Sequence, residues 1–206
     1  MSLSNYSELQ TEIANFLNRD DLTSQIPTFI RLAEARMNRD LRHWRMERRS
    51  TNSVDTQYTG LPSDFIGPIR ITLDTSATKV LDVAGTQEIS TLRANASNTK
   101  GTPAYYALID GSLEVFPSPD KAYTMEMLYY GTITPLSTTS TTNWVITNYP
   151  DLYLYSTLLQ SAPYLMEDER IQVWASFYAS AVETLNQENE TAKFGGSGSR
   201  MKIRSY

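Results

Sequence analysis

Few residues of this chain have the types and spacing that chemistry needs. Its one histidine, His43, stands beside Trp44 in a basic segment. An imidazole can serve as a general base or a metal ligand. No nucleophile with an orienting partner accompanies it, so a surface or packing role is expected. The run Glu167-Asp168-Glu169 could be imagined as a metal cluster. Adjacent residues on a helix point in different directions, and acids at a helix start are favoured by the helix dipole. The second reading is the better one. Asp64 and Asp74 could be the acid and base of a glycosidase, but any acidic β-rich stretch offers such a pair. The sequence contains no Walker A loop, no GxGxxG, no HExxH and no GxSxG. It has no cysteine, which excludes disulfides, thiolate zinc sites and a cysteine nucleophile. No catalytic residue, cofactor or metal is therefore expected.

Two features could bind a partner. The first is the series Arg36, Arg39, Arg42, Arg45, Arg48 and Arg49. On a helix, a spacing of three keeps neighbours close while the series drifts around the surface. One reading is a solvated face with local pairs to Glu34, Asp40 and Glu47. The other is contact with an acidic neighbour, whose carboxylates the guanidinium fork holds at two points. In a homo-oligomer the acidic last helix of the next copy is available, with Glu167, Asp168 and Glu169 at its start. The second feature is the end of the chain: Arg200, Lys202 and Arg204 alternate with Met201, Ile203 and Tyr206 behind a Gly/Ser segment at 195–199. Such alternation suits an arm that adds as a strand to a partner. It is also compatible with a frayed terminus.

The elements that must position these residues follow from periodicity. Asn5 and Glu8 have capping-box spacing, and Leu9, Ile13, Phe16 and Leu17 recur helically behind them. A second helix begins near Pro27 and carries Phe29, Ile30, Ala33, Met37, Leu41 and Trp44. Near Ser50 the helical spacing gives way to β-formers and turn residues. Strands are expected at 69–73 and 80–83, with a short helix at 88–96. A hairpin is expected at 105–116 around Asp110-Gly111, which suits a type I′ turn. Another strand, at 123–130, alternates Tyr, Met, Met and Tyr. A Ser/Thr-rich connector follows at 136–143. A third helix after Pro150 places Leu152, Tyr155, Leu159 and Ala162 on one side and ends or kinks at Pro163. A fourth, at 168–192, carries Ile171, Trp174, Tyr178, Val182 and Leu185. Four short helices are too few for two cores. The expected fold is α+β: a four-helix framework from 1–49 and 143–192, an antiparallel β-rich insert at 50–142 and a flexible arm at 193–206.

Composition bounds the rest. With 206 residues, 40% of them hydrophobic, the chain can bury a core. No apolar run approaches the roughly 20 residues of a membrane helix, and residues 1–10 lack a secretory pattern, so cytosolic synthesis and no membrane partner are expected. The net charge of −5 argues against general coating of nucleic acid. The charge is uneven: +1 over 1–49, −4 over 50–135, −6 over 136–192 and +4 over 193–206. An acidic body with a basic tail can join copies of itself or an acidic partner.

Several stretches, in order and over nearly the whole chain, resemble a known family. They are Tyr6-Ser7-Glu8-Leu9 with residues 16–22, FIRLAEARMNRDLRHWRM at 29–46, LPSDF at 61–65, GTPAYYALIDGSLEVFPSPD at 101–120, MLYYGTITPLS at 127–137 and NWVITNYPDLYLYSTLLQSAPYLMEDERIQVW at 143–174. The set resembles the head-to-tail adaptor, or connector, proteins of tailed bacteriophages, especially short-tailed ones. The resemblance implies a structural virion protein at the head–tail interface, made in the host cytoplasm. It implies a ring, typically of twelve copies, beneath the portal ring. The ring would extend the channel for double-stranded DNA without reading sequence and offer a platform for the tail or nozzle. It also implies a C-terminal arm, here residues 193–206, that anchors on the portal. A tail-tube or nozzle subunit and a carbohydrate-binding β domain are the alternatives.

Overall fold

The structure, a computed structural model, describes residues 3–75, 77–96, 100–165 and 169–194, with only the backbone of Asp20 and Phe194. In chain order the elements are α1 (Tyr6–Leu17), α2 (Ile26–Asp40), β1 (Glu47–Val54), β2 (Tyr58–Gly60), β3 (Phe65–Asp74), β4 (Lys79–Val80), β5 (Asp82–Val83), α3 (Thr86–Asn95), β6 (Tyr105–Ile109), β7 (Ser112–Phe116), β8 (Tyr123–Gly131), α4 (Trp144–Asn148), α5 (Pro150–Gln160) and α6 (Arg170–Phe194). Short 3-10 segments occupy Asp20–Gln25, Trp44–Met46 and Ala162–Tyr164. The class is α+β. Two compact units divide the chain, one of residues 1–46 and 133–206 and one of Glu47–Thr132. These divisions fall three residues before and ten residues before the boundaries expected at 49/50 and 142/143.

In the helical unit, Asn5 caps α1 by accepting the Glu8 N–H at 3.0 Å. The Glu8 carboxylate reaches back to the N–H and hydroxyl of Ser4. A reciprocal cap thus forms, displaced by one residue from the usual box. Asn18 ends α1 in the left-handed region at φ 51°, which asparagine tolerates. Leu9, Ile13 and Leu17 are buried on its inner face, each contributing roughly 1.5–3 kcal/mol. Beside them, α5 packs against α1, α2, α4 and α6. It therefore buries most of its circumference: Leu152, Tyr153, Leu154, Ser156, Thr157 and Leu158. The one-sided stripe expected from Leu152, Tyr155, Leu159 and Ala162 is corrected accordingly. The framework also holds a fifth helix, the short α4, begun by Asn143 capping Val145 and Ile146.

The β unit is a sandwich. Its first sheet has the order β1-β8-β3-β4 and is antiparallel; the second has the order β2-β7-β6-β5, with β5 parallel to β6. Strand β8 alternates as expected, with Tyr123, Met125, Met127 and Tyr129 inward. They meet Leu113 and Val115 of β7 and Tyr106 of β6 in one core. The β6–β7 hairpin turns at Asp110 (φ 40°) and Gly111 (φ 70°), as the Asp-Gly pair requires. The strand expected at 80–83 is two strands. The chain passes from one sheet to the other at buried Leu81, whose N–H donates to Ile71 O. Helix α3 covers the outer face of the second sheet through Ile89, packed with Ala107 and Phe116.

An ion pair between half-buried Arg93 and buried Glu114 sits within this unit. Arg93 Nη2 donates to Glu114 Oε1 at 2.9 Å, and Gln57 Nε2 donates to the same oxygen. Arg93 also donates to Ser118 Oγ. Removing one member of such a pair costs far more than replacing both. Arg93→Met is expected to destabilise the β unit by about 3 kcal/mol, and adding Glu114→Met to recover most of that loss. Denaturant unfolding of the single and double variants checks both.

Candidate functional site

The candidate glycosidase pair does not assemble. Asp64 precedes β3 and Asp74 ends it, so the strand separates them by roughly 30 Å, where paired hydrolytic carboxylates need less than about 10 Å. Asp64 is a structural residue. Its carboxylate accepts the Tyr129 hydroxyl at 3.0 Å and pairs with Arg48 at 2.9 Å, and its carbonyl accepts Thr132 N–H. His43 is a packing residue, as expected. It is buried, stacked on Trp144 with centroids 5.2 Å apart, and flanked by Trp44 and Tyr149. This aromatic group ties the 41–46 segment to α4. It reaches α6 through Trp44 N–H to Asn189 Oδ1 and through Tyr149 O–H to Glu188 Oε2. Burial first, then the Glu188 carboxylate, push the Tyr149 phenol up to about 12.

The arginine series does not lie on one helix. Helix α2 ends at Asp40 and Leu41 is extended. Arg36 and Arg39 therefore lie on α2, Arg42 follows it, Arg45 lies in a 3-10 turn, and Arg48 and Arg49 lie on β1. Arg36 lies 4.7 Å over the Tyr178 ring and 3.4 Å from Asp40. Tyr178 O–H donates to the same Asp40 oxygen at 2.8 Å. Arg42 donates to the carbonyls of Asn38 and Leu41, closing the helix end. Arg45 stacks on Trp44. Arg48 and Arg49 pair with Asp64 and Glu126. Arg39 is exposed. The expected local pair to Asp40 forms; that to Glu34 does not. Glu169 is exposed just before α6. Glu167, Asp168 and the tail residues Arg200, Met201, Lys202, Ile203, Arg204 and Tyr206 lie outside the described residues.

Glu34 is buried instead, on the inner face of α2. Its Oε1 accepts Leu136 N–H at 2.7 Å and Tyr153 O–H at 2.8 Å. One turn on, Asn38 Oδ1 accepts Ile133 N–H at 2.8 Å. Asn143, the cap of α4, donates to the Tyr153 oxygen and to Thr134 O. Burial raises the Glu34 carboxyl above its ordinary 4.5, outweighing the two hydrogen bonds that lower it. A signal for this was present: Glu34 lies four residues after Ile30 and beside Ala33, within the apolar arc.

Two outward faces remain on the helical unit. Helix α2 exposes Arg31, Leu32, Ala35 and Arg39, opposite its buried Ile30, Ala33 and Met37. Helix α6 buries Trp174, Tyr178 and Leu185 and exposes Val173 and Phe177 on its α5 side. Residues 4–201 match the family model described as SU10 adaptor protein. The chain belongs to the SU10 adaptor protein family. No curated protein matches it. Family membership supports a head-to-tail adaptor of a tailed phage, a structural component of the virion with portal and tail proteins as its neighbours. Among the described residues of this adaptor, no helix is long and apolar enough to cross a membrane.

The raised Glu34 carboxyl has a consequence for stability. A folded-state value above the unfolded one favours the folded protonated form, an advantage complete below about pH 4.5 and lost as pH rises through the raised value. The stability of the adaptor relative to Glu34→Gln is therefore expected to fall as pH rises above 4.5. Glu34→Ala, which orphans the Leu136 N–H and the Tyr153 O–H, is expected to cost about 2–4 kcal/mol at pH 4 and less as pH rises. Unfolding followed by circular dichroism across pH tests both.

Proposed function

We propose that the adaptor assembles as a ring, of twelve copies, beneath the portal ring of a filled head. It extends the DNA channel and carries the tail or nozzle proteins. The family match over 4–201 is the observation that carries this reading. The net charge of −5 supports passage of double-stranded DNA without grip or sequence reading. The helical unit serves as the wedge of the ring, and the β unit as a surface for neighbours or tail proteins. Residues 193–206, the first two of which end α6, carry charge +4 and alternate basic and apolar side chains over 200–206; they form the arm that hooks the portal. The assembled adaptor resides at the head–tail interface of the virion, after synthesis in the host cytoplasm.

Co-purification with portal protein tests the reading. The full chain is expected to bind portal as a ring visible by electron microscopy, and a chain ending at 192 to lose binding. Undiminished binding after truncation rejects the arm. Binding to another adaptor but not to portal moves the chain to the tail tube or nozzle. The tail is expected to order on binding. Limited proteolysis should then cleave it in the free protein and spare it in the complex.

A further inference from the structure

A ring built by rotation repeats one contact between two different patches, so a subunit needs two complementary faces. Resting on the ring reading above, we propose that the outer face of α2 in one copy docks into the α5–α6 groove of the next. The α2 face centres on Leu32, 49% exposed, with Ala35 one turn on. Arg31 and Arg39, both exposed, flank them. The groove is lined by Tyr149, Asp151, Tyr155, Phe177, Ala181 and Thr184. Phe177 is 47% exposed, with its ring 4.9 Å from that of Tyr155, and Val173 extends the apolar strip one turn back at 49% exposure. Asp151 lines the groove, and Glu188, which accepts the Tyr149 hydroxyl at one end of it, adds a second exposed carboxylate; Arg170 lies at the other end of the α6 strip.

The two faces share no residue, and each has an apolar centre, with arginines beside Leu32 and the Asp151 carboxylate in the groove with Phe177. This is the pattern of an amphipathic helix laid into a groove, with anchors at Leu32 and Ala35. Arg31 and Arg39 then lie against Asp151 and Glu188, where the guanidinium fork suits carboxylates. The contact differs from one built on Arg36 and Arg42, which are engaged within their own subunit.

The chain contains no cysteine, so introduced thiols report the contact without background. Adaptor carrying both Leu32→Cys and Phe177→Cys is assembled on portal and oxidised. A ladder of covalent multimers is expected. A mixture of the two single variants should stop at dimers, and either single variant alone should give none. Rings that assemble without crosslinking overturn this interface and leave the ring reading intact. Wild-type adaptor that forms no ring on portal overturns both. Leu32→Glu gives an independent measurement. It is expected to keep the wild-type melting curve and lower ring yield by roughly tenfold; unchanged yield counts against the interface.

Discussion

The helical unit depends on a carboxylate held away from water. A buried ionisable group is tolerable only where its hydrogen bonds are made. Glu34 meets that condition with the Leu136 N–H and the Tyr153 O–H. With Asn38 taking the Ile133 N–H, two side chains one turn apart on α2 fix the segment that returns to this unit. Asn143 extends the constraint, since it donates to Tyr153 and caps α4. One polar chain therefore sets the position of α2, the 133–143 connector, α4 and α5. An apolar residue at 34 would leave these donors unanswered while adding little packing.

Much of the fold was legible because local pattern and burial agreed. The alternation of β8 has a period of two and one buried face, so it reads directly. Asp110-Gly111 has few conformational alternatives to a tight hairpin. The stripe of α6 emerged with Trp174, Tyr178 and Leu185 buried. Other elements failed for identifiable reasons. Helix α5 carries Ser156 and Thr157 in its interior, and Thr157 satisfies its hydroxyl on the Tyr153 carbonyl. Buried hydroxyls disguise a helix enclosed on most sides as an amphipathic one. Strand β1 was masked by the arginine spacing, which continues past the end of α2 although the backbone does not.

The interaction surface was only partly legible, because charge spacing gives no direction. A basic second helix and an acidic last helix were both apparent. Which arginines face outward depends on Asp40, Tyr178 and the carbonyls of Asn38 and Leu41, all tertiary or end-of-helix partners. Glu34 was counted among the surface acids for the same reason. Four of the arginines expected on one helical face are instead used to close a helix, to stack on Trp44 or to pair across a sheet.

An assembly subunit must also avoid assembling wrongly. Exposed apolar residues invite association, and the usual guard is flanking charge. Leu32 is guarded by arginines, and the groove of Phe177 by Asp151. Two α2 faces brought together would oppose like charges around Leu32, and two α5–α6 grooves would do the same around Phe177. Self-pairing of either face by a two-fold axis is thereby penalised. Only the unlike contact joins apolar centres and opposite charges together. A heterologous contact cannot be satisfied in a symmetric dimer, so it propagates until rotation closes it. The guards that keep the free subunit from aggregating are then the same charges that select a ring over a dimer.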